Sequence, residues 1–102
     1  MRIGRVVGSV TLNRIHPSLV GVQWKLAVPL MLDELNAEAK NSEASPGGSE
    51  ELVVYDELGV GLGETIAISE GREAAMPFYP DVKPVDAYAA AILDNITVTK
   101  KI

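Results

Sequence analysis

The chain has 102 residues, of which 47% are hydrophobic, and its 14 acidic and 9 basic side chains give a net charge of −5. This length leaves room for one domain with a modest core, and such a small domain gains stability from self-association. The acidic balance argues against nucleic acid as the main partner, and the absence of cysteine excludes disulfides and thiolate metal sites.

The first predicted strand covers residues 2–12 and alternates between two faces. Its even positions from 4 to 12 are apolar or glycine, whereas Arg5 and Ser9 lie on the other face. Gly4 and Gly8 fall on the apolar face, where glycine permits a bend or a close crossing of strands. Small closed barrels need strands that coil in this way.

Residues 13–21 are predicted to form a loop, with His16 and Pro17 in a turn. A second strand is predicted over residues 22–32. Every even position in this range is apolar, and Gln23 and Lys25 face the other way. Pro29 has no N–H to donate to a neighbouring strand. We therefore expect a bulge or an unpaired edge at that position.

The acidic excess lies in one segment, residues 33–51, which holds six acidic side chains and one lysine, a net charge of −5. The segment ends in a Ser-Pro-Gly-Gly-Ser run. Such runs are typical of loops, so we interpret residues 33–51 as an acidic surface insertion, with at most a helical turn over residues 34–40.

Two short strands are predicted next, over residues 51–55 and residues 64–69, with Ile66 and Ile68 on one face of the latter. A helical turn at residues 71–75 and an irregular, proline-rich stretch follow, and a last strand is predicted over residues 89–99. The pattern indicates an all-β chain, a small five-stranded OB-like β-barrel with one or two short helical turns, in a single domain over residues 1–102.

Three alternate glycines, Gly59, Gly61 and Gly63, stand between the third and fourth predicted strands. A phosphate-binding loop would open a helix, but a strand follows here, and the carboxylates of Glu57 and Glu64 would repel phosphate. Two interpretations remain: a tight turn within one chain, or a narrow symmetric constriction in an oligomer.

Catalytic and ligand-binding alternatives find little support in the sequence. His16 is the only histidine, without a spaced partner for catalysis or metal binding. Asp56, Glu57 and Glu64 are the carboxylates from which an acid/base pair would be built. The aromatic residues lack the neighbouring basic cluster that a nucleic-acid groove requires; they are Trp24, Tyr55, Phe78, Tyr79 and Tyr88. We predict no catalytic residue, no cofactor and no metal.

Several segments, in order, resemble the EutN/CcmL family, the pentameric vertex proteins of bacterial microcompartments. They are residues 1–10, the Pro-Ser-Leu-Val-Gly run at 17–21, residues 56–69, Gly-Arg-Glu-Ala-Ala at 71–75 and Pro-Val-Asp-Ala at 84–87. Val60 and Leu62 are bulkier than the family's usual residues in the glycine run, and the acidic insertion is longer than in compact members.

This resemblance implies an OB-like barrel that closes into a cyclic homopentamer at the five-fold corners of a polyhedral shell, in the cytoplasm, among hexameric shell proteins. It implies no catalysis, cofactor or membrane partner. It also places one loop near the five-fold axis, formed by Gly59, Val60, Gly61, Leu62 and Gly63. Residues expected at subunit or shell interfaces are Arg14, His16, Pro17, Arg72 and Asp86.

Two other functions remain open from the sequence. One is a free-standing OB-like module that binds a small ligand or nucleic acid, for which an accessible groove with aromatic and basic side chains is required. The other is a small enzyme that uses Asp56 or Glu64 as its acid or base.

Overall fold

The computed structural model describes residues 1–39 and 50–99, with the side chains of residues 1–35 and 50–99. Five strands account for most of the regular structure: β1 (Arg2–Val10), β2 (Gln23–Pro29), β3 (Leu52–Asp56), β4 (Thr65–Glu70) and β5 (Ala87–Leu93). The described residues also form two α-helices, α1 (Leu32–Ala39) and α2 (Arg72–Ala75), and 3-10 turns at Pro17–Leu19 and Met76–Phe78.

The strands close into a barrel in the order β1-β2-β3-β5-β4. All neighbours are antiparallel except β3 and β5, which run parallel and meet at Tyr55 and Tyr88. No helix in the described ranges is long and apolar enough to span a membrane. The predicted all-β, five-stranded barrel is confirmed.

Small and β-branched side chains fill the barrel interior. This inner core consists of Val6, Ala27, Val54, Val60, Ile66, Ile68, Ala87 and Ala89. Ile66 and Ile68 both point inward, as their alternation predicts. The alanines of β5 would favour a helix by propensity alone, but the crowded interior favours small side chains, and this tertiary packing decides the outcome.

Glycine allows β1 to pass close to its neighbours. A Cβ atom at Gly4 would lie 2.7 Å from Ile68 Cδ1 and 3.1 Å from the carbonyl oxygen of Val28, so any other residue would push these neighbours away. The irregularity in the β1–β2 ladder falls between Val6 and Gly8, where Val7 is the extra residue. The expected close crossing is therefore confirmed, and the bulge lies in β1 and not at Pro29.

An outer core lies on the other side of the sheet, beneath the 3-10 turns and α2. Buried Leu19, Tyr55, Ala74 and Val85 pack there with partly buried neighbours, among them Trp24, Phe78 and Tyr88. The two faces of β2 therefore pack into different cores. Trp24 on the even face joins the outer core, whereas Ala27 on the odd face enters the barrel.

Three predicted strands extend too far, and the first of them ends at Val10 and not at residue 12. The second strand ends at Pro29 and not at residue 32, and Leu32 instead begins α1. Glu34 explains this start, because its Oε2 accepts the Met31 N–H at 2.8 Å, as in a capping box. The last strand ends at Leu93, because its partner β4 begins at Thr65 and offers no ladder beyond that pair.

The predicted acidic insertion is only partly within the described residues. Its first part is the regular helix α1, longer than the helical turn that was expected. Residues 40–49 lie outside the described ranges. At the far boundary, Arg2 at the start of β1 makes bidentate contacts with both Glu50 and Glu70, at 2.6–2.9 Å, which joins the returning chain to the end of β4.

Candidate functional site: the glycine loop

Asp56, the last residue of β3, organises the loop that joins β3 to β4. Its Oδ1 accepts the N–H groups of Leu58 at 2.8 Å and Gly59 at 3.1 Å, and its Oδ2 accepts that of Val60 at 2.9 Å. The residue is only 3% exposed. Three consecutive backbone amides thus converge on one buried carboxylate, which fixes the first half of the loop.

Lys25 of β2 supplies the fourth hydrogen bond to this carboxylate, from Nζ to Asp56 Oδ2 at 3.0 Å, and it also donates to Gln23 Oε1 at 2.8 Å. Burial by itself would raise the pKa of Asp56. The hydrogen bonds from Lys25, Leu58 and Val60 outweigh that effect and hold the pKa below its usual value of 3.8. Asp56 therefore stays ionised inside the protein.

The second half of the loop is fixed by Glu64 and by β1. Glu64 Oε1 accepts the Gly61 N–H at 2.9 Å, while the Glu64 N–H donates to the Gly61 carbonyl at 3.2 Å. The Gly63 N–H donates to the Val6 carbonyl at 2.8 Å. Both halves of the loop are therefore tied to the barrel.

The three glycines have different roles. Gly59 and Gly63 have φ of 74° and 83°, a region that side chains rarely adopt, whereas Gly61 does not lie in it. A Cβ atom at Gly61 would instead meet Glu64 Oε1 at 2.9 Å. A positive φ, which glycine adopts without strain, is thus confined to the two outer glycines.

The two apolar residues of the loop point in opposite directions. Val60 is 2% exposed and belongs to the inner core, where its side chain holds the loop against the barrel. Leu62 is 70% exposed at the tip of the loop. Of the five residues predicted near an axis, Leu62 is therefore the one that presents a large side chain to the outside.

The carboxylates considered for acid/base chemistry are occupied by structural contacts. Asp56 and Glu64 bind loop amides, and Glu57 Oε1 accepts the Tyr88 hydroxyl at 2.8 Å. Burial and this hydrogen bond raise the pKa of Tyr88 to about 12, so its hydroxyl remains a donor. Within residues 1–39 and 50–99, no three carboxylate or histidine side chains are grouped as metal ligands.

Most of the aromatic rings bury one another in the outer core. The Tyr55 ring makes edge contacts with Trp24 and Phe78, at centroid distances of 5.3 and 5.1 Å, and stacks on Tyr88 at 6.1 Å. Lys83 Nζ lies 4.7 Å from the Phe78 centroid. These rings pack against the protein and do not form an open stacking surface.

The five predicted interface residues lie on two segments that cover the outer core. Arg14, His16 and Pro17 precede Leu19, and His16 Nδ1 caps the first 3-10 turn by accepting the Ser18 N–H at 3.2 Å. The Gly71 N–H donates to the Asp86 carbonyl at 2.9 Å, which brings Arg72 and Asp86 together through their backbones. Their roles at an interface stay predictions.

The whole fold, with its glycine loop, has known relatives. A family model described as ethanolamine utilisation protein EutN/carboxysome matches residues 1–94. The chain belongs to the EutN/CcmL family. The resemblance of the sequence segments to this family is thereby confirmed.

Similar proteins cover nearly the whole chain. The "carboxysome shell vertex protein CcmL" of Gloeobacter violaceus is 32% identical over 99% of this chain and 90% of that protein. The "bacterial microcompartment shell vertex protein PduN" of Salmonella typhimurium is 29% identical over 95% of this chain and 99% of that protein. Among solved structures, the "GrpN pentameric microcompartment shell protein" of Rhodospirillum rubrum superposes with a TM-score of 0.75, at 24% identity, over 96% and 99% of the two chains.

The Lys25–Asp56 pair is the main feature of the loop in this EutN/CcmL chain that sequence reasoning missed. The two residues are separated by 31 positions, and the alternation in β2 places Lys25 on the face opposite the apolar residues. In the β2–β3 ladder Lys25 pairs with Val54, and Asp56 lies two residues further along β3 on the same face. This register brings the Lys25 and Asp56 side chains together inside the barrel. The signal available in the sequence was an aspartate directly before three loop residues, a pattern that favours side-chain hydrogen bonds to backbone amides.

Proposed function

We propose that this chain is the vertex subunit of a bacterial microcompartment shell. It forms a cyclic homopentamer, with the loop at residues 59–63 beside the five-fold axis, and it docks among hexameric shell subunits. The observation that carries the proposal is the match of residues 1–94 to the EutN/CcmL family together with a closed five-stranded barrel. Relatives along nearly the full chain are named shell vertex proteins.

The proposed geometry follows from symmetry. A flat layer of hexagons cannot close into a polyhedron without five-fold corners, so a pentamer supplies the curvature. A cyclic ring uses heterologous contacts, in which one patch of each subunit meets a different patch of the next. Such a ring needs no bound cofactor, and we assign the chain a structural and not an enzymatic role.

The structure favours this function over a free-standing ligand-binding module. A nucleic-acid module stacks bases on exposed rings beside a basic groove. Here Tyr55 is buried among other rings, and Lys25 is committed to Asp56. The Tyr55 ring therefore packs in the outer core and the Lys25 charge fixes the loop, so neither is available to a nucleic acid.

Multi-angle light scattering of the purified chain tests the stoichiometry. Five subunits of 10.9 kDa predict a particle of about 55 kDa. A monomer at micromolar concentration would contradict the proposal. Co-expression with a hexameric shell protein tests the vertex role: closed polyhedra are expected with this chain, and open sheets or tubes without it.

A further inference from the structure

Leu62 is a large apolar side chain held outward by a rigid loop. It is 70% exposed, and the residues on both sides of it are tied to the barrel: Gly61 through Glu64, and Gly63 through Val6. An exposed leucine on a loose loop needs no explanation. On a fixed loop its position is set before any partner arrives, so burying it against a partner costs little conformational entropy.

The charged neighbours of Leu62 are withdrawn from the loop tip. The Glu64 carboxylate bonds back to the Gly61 N–H, and the Glu57 carboxylate accepts the Tyr88 hydroxyl. The tip therefore presents glycine backbone and Leu62, and Leu58, which is 46% exposed, adds an apolar side chain earlier in the loop. This surface suits contact with another apolar surface.

Rotational symmetry decides what that partner is. This step rests on the proposed placement of the loop at the five-fold axis, where each side chain meets its own copies. We propose that five Leu62 side chains converge there and form an apolar collar, which closes the centre of the ring to hydrated ions and polar metabolites. A narrow apolar constriction excludes water, and solutes that travel with water are excluded with it.

The first test measures whether the Leu62 positions meet. The chain has no cysteine, so Leu62→Cys introduces a single thiol per subunit. Two thiols join only when their Cβ atoms come within about 4.5 Å, and copper phenanthroline with oxygen takes up the two electrons and two protons released. Because five is odd, a ring holds at most two disulfides, so up to about four chains in five should become dimers.

Val82→Cys is the matched control, because Val82 is 89% exposed on a different loop. Dilute rings of this variant should remain monomeric on a non-reducing gel. If rings of the correct mass carry Leu62→Cys and cross-link no more than the control, then the axis placement is wrong and the collar with it. The pentamer itself would still stand in that case.

The second test measures whether the centre is dry. Rings with one Leu62→Cys subunit among parent subunits keep most of the collar. With the reductant removed under nitrogen, their thiol should displace methanesulfinate from a trimethylammonium methanethiosulfonate at least about ten-fold more slowly than the Val82→Cys thiol, because only a water-exposed thiolate is attacked. Equal rates in a ring that does cross-link would mean that the centre is wet. That result would overturn the collar and leave the loop at the axis.

A charged variant keeps the proposal testable even if the cysteine variant assembles poorly. Leu62→Glu should lose the ring at pH 7, because five carboxylates would repel one another, and should regain it near pH 4 as they protonate. Leu62→Gln and Val82→Glu should form rings at both pH values in light scattering. Normal rings of Leu62→Glu at pH 7 would overturn the collar.

Discussion

Asp56 is the single residue that fixes the first half of the loop, because its two carboxylate oxygens accept four hydrogen bonds. Asp56→Asn keeps the shape but replaces one oxygen with a donor and leaves buried Lys25 without its anion. Removing one partner of a buried ion pair costs roughly 3–5 kcal/mol, so we expect the free energy of unfolding in urea to fall by about that amount.

Glu57→Gln is the matched control for this loss of a carboxylate. Its side chain is exposed, and an amide oxygen still accepts the Tyr88 hydroxyl, so its free energy of unfolding should stay within about 0.5 kcal/mol of the parent chain. If Asp56→Asn unfolds at the same urea concentration as Glu57→Gln, the Asp56 contacts do not stabilise the loop.

The effect of Asp56 also predicts a pH dependence. Its pKa in the folded chain lies below 3.8, because hydrogen bonds outweigh the opposing effect of burial. A carboxylate with a lowered folded-state pKa adds stability above its unfolded pKa, and that stability is lost as the pH falls through the folded pKa. The difference between parent and Asp56→Asn should hold from pH 7 to about pH 5 and shrink at pH 3, in urea titrations.

The different conformations of Gly59 and Gly61 predict different losses of stability when each is replaced with alanine. Gly59→Ala forces a side chain into φ of 74°, which costs roughly 1–2 kcal/mol in the free energy of unfolding. Gly61→Ala lacks that strain and only displaces the Glu64 carboxylate, so it should cost less. Chemical denaturation of the two variants side by side checks this order, and the reverse order would refute it.

At the scale of the strand, Gly4 and Gly8 of β1 offer a matched pair. Gly4→Ala places a methyl group 2.7 Å from Ile68 Cδ1 and 3.1 Å from the Val28 carbonyl, and such overpacking costs about 1–3 kcal/mol. Gly8→Ala meets Leu26 Cβ at 3.7 Å, an ordinary contact, and should be neutral or stabilise by up to about 1 kcal/mol. Urea midpoints separate the two, and equal losses would contradict the close crossing at Gly4.

Local patterns predicted the strands well, because alternation is written into neighbouring residues. They failed where a distant partner decides the outcome. Residues 95–99 look like a strand but lie beyond the start of β4, and a strand without a neighbour does not form a ladder. Leu32 continues the apolar alternation, yet Pro29 ends the strand and Glu34 caps a helix instead.

The sequence predicted where the glycine loop lies in the chain, but not its conformation or the directions of its side chains. Alternate glycines marked the loop, but their spacing does not show which of them adopt positive φ. Nor does it show that Val60 turns inward while Leu62 turns outward. Asp56 fixes the first half of the loop and is held by Lys25, which it meets across the β2–β3 ladder from a position far away in the sequence. Glu64 and Val6 fix the second half.

On the scale of the whole molecule, the chain divides its apolar residues between two small cores and leaves others exposed. Side chains such as Val20, Leu62 and Tyr79 are mostly open to solvent in the single subunit. A 102-residue domain with this distribution has limited stability alone. Assembly into a ring should therefore contribute a measurable share of its stability.

That share predicts that the thermal midpoint depends on protein concentration. If a pentamer unfolds to five separate chains, raising the concentration 100-fold stabilises each folded chain by about four-fifths of 2.7 kcal/mol, or about 2 kcal/mol. For a domain of about 100 residues this corresponds to a rise in Tm of roughly 10 °C. Calorimetry at 1 and 100 µM, with rescans to establish reversibility, measures the shift. A midpoint that does not move would mean that folding and ring formation are separate events, and that the single barrel carries its own stability.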